Sequence, residues 1–471
     1  MHICITFMKK IQPYIRPLAF LGTWTFFRFF YPYHLMRREQ LSLFAFDWDY
    51  IRQTYHGTGW LAAFASDFLE QFFRVPFLGS LIVALLLTLI ARVVYRICRH
   101  FLGKWPSLGI AALFFIWSFL RETGNLYQTR YTVVALAYLS LVLLALQFKK
   151  VWLSPVAGVL LLALGAWALG SPYHHHYGKA WGLPRLNYER VIGLDIETSL
   201  EHWDRVLELS KKDLYMEEAS YCYNLATAMK GRLGDDLLNH SQNHQLTLLF
   251  PVSGDRTIFT NGMAGEAWFQ LGDMTVAEQS AITSLQASPK HTGTRYLVRL
   301  ARVNLVCGED GAAQKYLNIL SRTLFYGKWA RSMMPGSQDE EARAQIAGAR
   351  AKLIREDLVH QSERPREILH RLLEANPDNI MARNYLLCYD LMCYDLEGFM
   401  QDYEEHRIDA RLYREAILIW LSRHDRMTPS QVSAYGIDLS EVDRMNRFGR
   451  NPAKYKNTYW YYYMKAMYEQ Q

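Results

Sequence analysis

Two aspartates separated by one residue are the strongest candidates for chemistry in the first half of the sequence. Asp47 and Asp49 stand in the segment Phe-Asp-Trp-Asp-Tyr, residues 46–50. Two carboxylates at this spacing can share a divalent cation, or one of them can act as a general base. A solvated turn or the N-terminus of a helix explains the same residues without chemistry, and so short a motif favours this simpler interpretation.

Three arginines are candidates for contact with a lipid headgroup or a lipid-linked substrate. Arg28 lies inside an apolar segment near its end, where a long side chain can reach the headgroups, although an intramembrane charge can also be functional. Arg121 and Arg130 flank a short polar loop and could bind an anionic headgroup. A simple interfacial charge cluster is the favoured interpretation of that loop.

No residue pattern predicts a cofactor or a metal site. His174, His175 and His176 are consecutive, so on a helix they point in different directions and cannot bind one metal ion together. In an extended segment His174 and His176 could share a side, but no third ligand stands at a familiar spacing, so a polar linker is favoured over a metal site. The six cysteines include no CxxC pair, and Cys388 and Cys393 would point apart on a helix, which disfavours a disulfide. A divalent cation is expected only if Asp47 and Asp49 are catalytic.

The long apolar segments are confined to the first 170 residues, which excludes a fully soluble enzyme. A bilayer is spanned by about 20 apolar residues. The candidate spans are residues 18–33, 76–94, 105–120, 131–147 and 151–170. The predicted fold is therefore all-α, with a transmembrane helical bundle over residues 1–171, a linker over 172–199 and a helical-repeat domain over 200–471.

Charge is distributed unevenly between these regions and predicts the topology. Residues 1–170 contain 16 Lys and Arg against 6 Asp and Glu, whereas residues 171–471 contain 36 against 39. The basic clusters at Lys9–Arg16, Arg96–Lys104 and Lys149–Lys150 fall on one side if the N-terminus is cytoplasmic. The expectation is a multi-pass protein of a bacterial inner membrane, with a periplasmic C-terminal domain, in contact with lipids and not with nucleic acid.

A helix is predicted over residues 60–73. Its apolar residues recur on one face and include Phe64, Phe68 and Phe72, while Asp67 and Glu70 lie on the other face. Such a helix either lies along the membrane surface with its phenylalanines toward lipid, or packs on the spans as ordinary core. The sequence favours neither alternative.

The second half resembles a tetratricopeptide (TPR) repeat most clearly between residues 259 and 289. Small residues let two helices approach closely, and a proline ends the second helix. Corresponding positions recur 36 residues later, close to the usual period of about 34. The residues that define the pattern are Gly265, Trp268, Gly272, Ala277, Ala281, Pro289, Gly308 and Ala313. A repeat domain of this kind predicts a concave surface for a protein partner. A non-repetitive helical bundle is the alternative interpretation of this region.

The sequence ends in an aromatic run from Tyr459 to Tyr463. Such a run can dock on a partner or on the membrane surface. It more often covers the last hydrophobic layer of a helical-repeat domain, and this is the favoured interpretation.

The chain resembles a family of unknown function whose members are bacterial multi-span inner-membrane proteins with a C-terminal TPR-like domain. The matching segments are Arg38–Leu41, Gln71–Phe73 with Pro76 and Gly79, Asn224–Ala226, Lys315–Leu317, Asn379–Leu387 and Tyr459–Trp460. This resemblance implies a location in a Gram-negative cell envelope and carries no known activity.

The N-terminal half is also similar, in part, to glycosyltransferases that use polyprenyl-phosphate sugars. These enzymes place acidic residues in their first outer loop and follow them with a surface helix, as Asp47, Asp49 and residues 60–73 would. Such enzymes usually have more spans than five. Two hypotheses follow: a non-enzymatic envelope scaffold that binds a protein partner, which is favoured, and an envelope glycosyltransferase with Asp47 or Asp49 as base or cation ligand.

Overall fold

The structure is a computed structural model that describes residues 15–124, 127–147, 159–160, 163–165, 167, 183–354 and 362–469. Every regular element in these residues is helical, and they contain no strand. The prediction of an all-α protein is therefore confirmed. The three consecutive histidines at 174–176 and most of the predicted span 151–170 lie outside the described residues.

The chain divides into two compact units, which are described separately below. The first unit comprises residues 1–192, 288–297 and 316–333. The second unit comprises residues 193–287, 298–315 and 334–471. The division falls within three helices, Leu186–Ser199, Thr294–Cys307 and Asp310–Ser321.

Seven helices form the N-terminal part of the first unit. Helix α1 covers residues 15–25 and continues into a π-helical turn at Phe26–Phe30. The others are α2 (Pro32–Gln40), α3 (Trp48–Thr54), α4 (Trp60–Glu70), α5 (Pro76–Phe101), α6 (Lys104–Glu122) and α7 (Thr129–Ala145). A 3₁₀ turn, Gln71–Arg74, follows α4, and the short helix Gly327–Ser332 also belongs to this unit.

Helix α5 is the clearest candidate for a membrane span. It is 26 residues long and begins with Pro76. Proline is well tolerated at this first position because a backbone N–H there would have no acceptor within the helix. Among the described residues α5 is the one helix that is both long and apolar enough to cross a bilayer, and α7 is apolar but shorter. Two of the other three predicted segments, 18–33 and 105–120, are also helical but do not reach that threshold.

The core of the first unit is aromatic and closely packed. Phe27, Tyr31, Leu35 and Phe73 are buried together with residues of α5. Gly79 on α5 allows the closest approach, because a Cβ there would stand 3.1 Å from the Cα of Phe73. Helices α5, α6 and α7 also present leucines outward, including Leu85, Leu89, Leu113 and Leu144.

The second unit is built from consecutive helices joined by short turns. Two of them, α8 (Ile258–Leu271) and α9 (Met274–Ala287), form a hairpin around Gly272, whose φ of +104° is accessible to glycine at low cost. The remaining helices that lie wholly in this unit are Trp203–Leu209, Glu217–Met229, Leu233–Asp236, Glu340–Arg350, Pro365–Ala375, Ile380–Met392, Leu396–Glu405, Arg411–Arg423, Pro429–Ala434, Leu439–Arg450 and Tyr459–Glu469.

The aromatic C-terminal run packs inside the second unit. Tyr459 and Trp460 are each 1% exposed. The backbone N–H of Tyr459 donates to the buried carboxylate of Glu415 at 2.7 Å, and the indole N–H of Trp460 donates to the Glu415 carbonyl at 2.9 Å. The run therefore covers a hydrophobic layer of its own unit.

Cys222 and Cys388 are buried free thiols, whereas Cys307 and Cys393 are free and exposed. Cys98 is a fifth free cysteine and is half-buried.

Candidate functional site

The structure places the Asp47 carboxylate at the start of α3. One oxygen accepts the backbone N–H of Tyr50 at 2.8 Å, which makes Asp47 the N-cap of the helix. The other oxygen pairs with Arg322 at 2.7 Å. Asp49 is exposed in the first turn, where a negative charge complements the helix dipole.

The three predicted lipid-contacting arginines lie in different environments. Arg28 is half-buried in the π-helical turn and stands 5.1 Å from the ring centre of Phe29. Arg121 is buried, with its guanidinium 4.7 Å from the ring of Trp117 and 5.5 Å from that of Tyr127. Arg130, at the start of α7, is near enough to Asp67 to lower its pKa.

Helix α4 turns its polar face inward. Its buried residues are Ala62, Ala63, Ser66, Asp67 and Glu70, while Phe64 and Phe68 are only partly buried. Ala62 packs against Val134 of α7, and its small side chain lets the two helices approach closely. The acidic face of this helix, which lies opposite its phenylalanines, is therefore enclosed by protein.

Asp67 lies at the centre of this acidic face and binds two side chains. The hydroxyl of Tyr55 donates to its Oδ2 at 2.8 Å. The ammonium of Lys290 contacts the same oxygen and lies 5.1 Å from the ring centre of Tyr55. Burial raises the pKa of Asp67, and the charge of Lys290 opposes that shift.

Glu70 lies one helical turn beyond Asp67 and is also buried. Ser66 donates to its Oε1 at 3.4 Å. Burial, followed by the neighbouring Asp67 charge, raises the pKa of Glu70 to about 7, although Arg38 lowers it. A carboxyl of this kind exchanges its proton near neutral pH.

A third buried carboxylate, Glu122 at the end of α6, is held by Arg38 of α2. Arg38 Nη1 lies 2.7 Å from Glu122 Oε2, and Arg38 Nη2 donates to the Glu122 carbonyl at 2.7 Å. The hydroxyl of Thr132 on α7 donates to the other carboxylate oxygen. His34 Nε2 lies 3.0 Å from Arg38 Nη2, and burial holds the pKa of His34 well below its usual value.

Glu39, on α2, is the fourth buried carboxyl of the first unit. The hydroxyl of Tyr326 donates to its Oε2 at 3.2 Å, and the guanidinium of Arg74 lies 4.4 Å from the ring of Tyr326. Burial raises the pKa of Glu39 to about 7 against the opposing charge of Arg74. The carboxyl therefore also titrates near neutrality.

Glu189 caps the first turn of α2 from a distant part of the sequence. It accepts the backbone N–H of Tyr33 at 2.6 Å and that of His34 at 3.1 Å. Burial nevertheless raises the pKa of Glu189 to about 8. Within the described residues, no group of three or more His, Cys, Asp or Glu side chains is arranged to hold a metal ion.

A model described as a family of unknown function, DUF6057, matches residues 7–176 and 172–466. The chain belongs to this family. No curated protein and no solved structure matches it.

In this DUF6057 protein the predicted repeat residues are packed in helices and at turns. Trp268, Ala277 and Ala281 are at most 1% exposed, and a Cβ at Gly265 would overlap the side chain of Ser280.

Asp273, after Gly272, caps α9 by accepting the Val276 N–H at 2.9 Å. Pro289 follows the end of α9 and begins a 3₁₀ turn. Farther along, Gly308 has a φ of +85° and Ala313 is fully buried.

The sequence offered little sign of the buried network in the first unit. Asp67 and Glu70 were visible as a polar stripe, but a polar stripe ordinarily faces solvent. Lys290 stands 223 residues away from Asp67, and Tyr326 stands 287 residues away from Glu39. The unusual feature that could have drawn attention is the pair of acidic residues on an otherwise apolar helix beside predicted spans.

Proposed function

We propose that the protein is an integral membrane protein of a bacterial inner membrane, with a cytoplasmic N-terminus and a periplasmic helical-repeat domain. The length and apolar character of α5 support this proposal. Leucines that face outward on α5, α6 and α7 support it further, because soluble proteins rarely expose such surfaces. The basic clusters beside the predicted spans set the proposed orientation.

The proposed role is that of an envelope scaffold whose second unit binds another envelope protein. The observation that carries this proposal is the α8–α9 hairpin, in which Gly265 closes on Ser280 over fully buried alanines, as in TPR-like modules. Stacked hairpins of this type expose long helical faces suited to a protein partner. On α9 the exposed side chains include Gln279 and Ile282.

The glycosyltransferase alternative receives less support. Asp47 already serves as an N-cap and an ion-pair partner, which accounts for this acidic residue without a substrate. Asp49 is exposed and complements the helix dipole. Lipid-linked sugars measured in a deletion strain test this alternative directly. They are compared with those of the same strain complemented by the wild-type gene or by the Asp47→Asn/Asp49→Asn variant. Accumulation of a polyprenyl sugar that only wild type clears would favour the enzyme.

Site-specific photo-crosslinking in cells tests the scaffold. A photoreactive amino acid at Ile282 is expected to give one discrete protein adduct, and Gln279→Asp in the same chain is expected to weaken it. The matched control is the same reagent at Tyr215, which is 77% exposed elsewhere in the second unit. Equal labelling from both positions, or adducts with lipid alone, would contradict a specific partner at α9.

Accessibility of an introduced cysteine tests the orientation. In a chain that also carries Cys307→Ser and Cys393→Ser, which remove the exposed native thiols of this unit, Tyr215→Cys is expected to react with a membrane-impermeant maleimide once the outer membrane is permeabilised, before the inner membrane is broken. Reaction only after lysis of the inner membrane would place the second unit in the cytoplasm.

A further inference from the structure

The surroundings of the Lys290 ammonium resemble a ligand site more than a surface ion pair. The charged group contacts a carboxylate oxygen of Asp67, and that oxygen also accepts the Tyr55 hydroxyl. The ring of Tyr55 faces the same ammonium at 5.1 Å. A carboxylate combined with an aromatic face is the chemistry by which proteins recognise organic ammonium groups.

Asp67 and Tyr55 are enclosed by protein, whereas Lys290 is partly exposed. Asp67 is 8% exposed and Tyr55 is 7% exposed, whereas 34% of the Lys290 side chain is exposed. Tyr55 also packs on Phe44 and Phe64, whose ring centres lie 6.3 and 5.3 Å away. Asp67 and Tyr55 are thus part of the core, while Lys290 reaches them from a short turn.

The turn that carries Lys290 is held in an unfavourable conformation. Lys290 and the next residue, His291, have φ values of +56° and +57°, in the left-handed region. Each such residue costs roughly 1 kcal/mol relative to a right-handed one. Strained residues of this kind persist where surrounding contacts compensate for them, often at switches and ligand sites.

Charged groups on α2, α4 and α7 act on the pKa values of Asp67 and Glu70. Lys290 and Arg130 of α7 lower the pKa of Asp67, and the charge of Asp67 raises the pKa of Glu70 on α4. Tyr50 after the start of α3 responds to the Asp67 charge, and Arg38 of α2 acts on Glu70. Since burial disfavours the ionised carboxylates, a cation in contact with Asp67 stabilises the site.

We propose that Asp67 and Tyr55 form a binding site for one primary ammonium group, and that Lys290 occupies this site as an internal ligand. An external ammonium can enter when the turn at 289–291 moves away and relieves its strain. A primary ammonium fits because it can donate N–H to Asp67 and still face the ring of Tyr55. The source can be a free alkylamine or the ethanolamine headgroup of a phospholipid.

Chemical rescue of a Lys290 variant in the full detergent-solubilised chain tests the site. Lys290→Met removes the ammonium and keeps an unbranched apolar chain that ends one atom earlier, so the thermal midpoint is expected to fall. Ethylammonium at about 100 mM is expected to raise it by something on the order of 3 °C if the dissociation constant is about 10 mM. Tetramethylammonium at equal ionic strength lacks an N–H donor and is expected to have no such effect.

Matched variants separate this result from a general effect of salt. Ethylammonium is expected to leave the midpoints of wild type and of Lys290→Met/Asp67→Asn unchanged. Lys328→Met, at an exposed lysine of the same unit, is expected to show neither the loss nor the rescue. Absence of rescue in Lys290→Met, or equal rescue in the double variant, overturns the proposal.

The two ammonium sources are compared in nanodiscs, an arm that rests on the proposed membrane location. Phosphatidylethanolamine discs are expected to raise the midpoint of Lys290→Met above its value in phosphatidylcholine discs if the lipid is the source. Rescue by ethylammonium without a difference between the discs identifies a free amine as the source. Failure of rescue leaves the scaffold proposal untouched, because no partner protein is present.

A measurement on the unaltered chain covers the case in which Lys290→Met does not fold. Acetic anhydride labelling followed by peptide mass spectrometry reports the reactivity of each lysine. Lys290 is expected to react several-fold more slowly than Lys328, and Asp67→Asn is expected to remove the difference. Equal reactivity of the two lysines in wild type overturns the proposal.

Discussion

At the scale of single residues, the first unit contains more ionisable groups in its interior than its sequence suggests. Asp67, Glu70, Glu122 and Glu39 are each at most 8% exposed. Each has cationic or hydroxyl partners contributed by another segment, which for Glu70 are Arg38 and Thr129, and these partners offset the cost of burying a carboxylate. The aspartate pair at residues 46–50 differs, because Asp47 is only half-buried and Asp49 is exposed.

Substitution of the two aspartates distinguishes capping from catalysis. Asp47→Ala is expected to lower the free energy of unfolding by about 1 kcal/mol, because the Tyr50 N–H loses its acceptor. Asp47→Asn retains a capping oxygen and is expected to lower the free energy of unfolding by less. Asp49→Ala is the control and is expected to stay within about 0.5 kcal/mol of wild type. Thermal unfolding of the full chain measures these effects, and equal losses at both positions would contradict the assigned cap.

Glu70→Gln is expected to stabilise the protein more at pH 8.5 than at pH 5.5. The pKa of Glu70 is raised from 4.5 to about 7 in the folded state, so its favourable contribution is present below pH 4.5 and is lost as the pH rises through 7. Glutamine cannot ionise and avoids that loss, which amounts to at most about 3 kcal/mol.

Unfolding midpoints of wild type and Glu70→Gln at both pH values provide the measurement. Glu208→Gln is the control, because Arg205 lowers the pKa of this exposed carboxyl instead of raising it. A Glu70→Gln effect that does not change with pH would show that the Glu70 carboxyl is not neutralised by burial.

At the scale of elements, α4 and α8 show how small residues decide which faces meet. Ala62 and Ala63 allow α4 to approach α7, and this approach encloses the acidic side of α4. Gly265 performs the same function in the α8–α9 hairpin. In both cases the distance between helix axes depends on a side chain that is small or missing.

Gly265→Val is expected to destabilise the second unit by about 1–3 kcal/mol, because its side chain would overlap Ser280. Ser280→Gly is expected to recover part of that loss in the double variant, since the two positions are in contact. Gly311→Ala is the matched control: no atom lies within 4 Å of the added methyl, and helix propensity favours alanine. A Gly265→Val protein as stable as wild type would contradict the tight crossing.

At the scale of the whole molecule, the two compact units are each assembled from separated stretches of sequence. Residues 288–297 and 316–333 belong to the first unit although residues on both sides of each stretch belong to the second. Lys290, Arg322 and Tyr326 on these stretches supply partners to Asp67, Asp47 and Glu39. Charge pairing within the first unit therefore depends on residues far along the chain.

Membrane integration is expected to depend on the outward face of α5. Leu85→Arg/Leu89→Arg places two charges on that face, and each costs about 3 kcal/mol at the centre of a bilayer. The double variant is expected to leave the membrane fraction or to be degraded. Leu186→Arg, at an exposed leucine outside the predicted spans, is expected to remain in the membrane pellet after alkaline washing. Unchanged integration of the α5 variant would show that its leucines do not face lipid.

The sequence by itself determined the local features of this protein. Apolar segments and the repeat pattern predicted its helical class, and the small residues between positions 259 and 289 predicted the pair of helices that the structure contains as α8 and α9. These features depend on residues within a few positions of each other, so periodicity and turn chemistry reveal them. Membrane topology and a partner-binding role stay predictions from charge and pattern.

Only the tertiary structure decided which polar face is buried and what neutralises it. The stripe of Asp67 and Glu70 reads as a solvated face, yet α7 covers it and Lys290 reaches Asp67 from 223 residues away. A local pattern records that a helix has two faces but carries no information on which distant segment covers each one. Burial of a carboxylate is stable only when that segment also brings a cation or a donor, and this pairing forms in three dimensions.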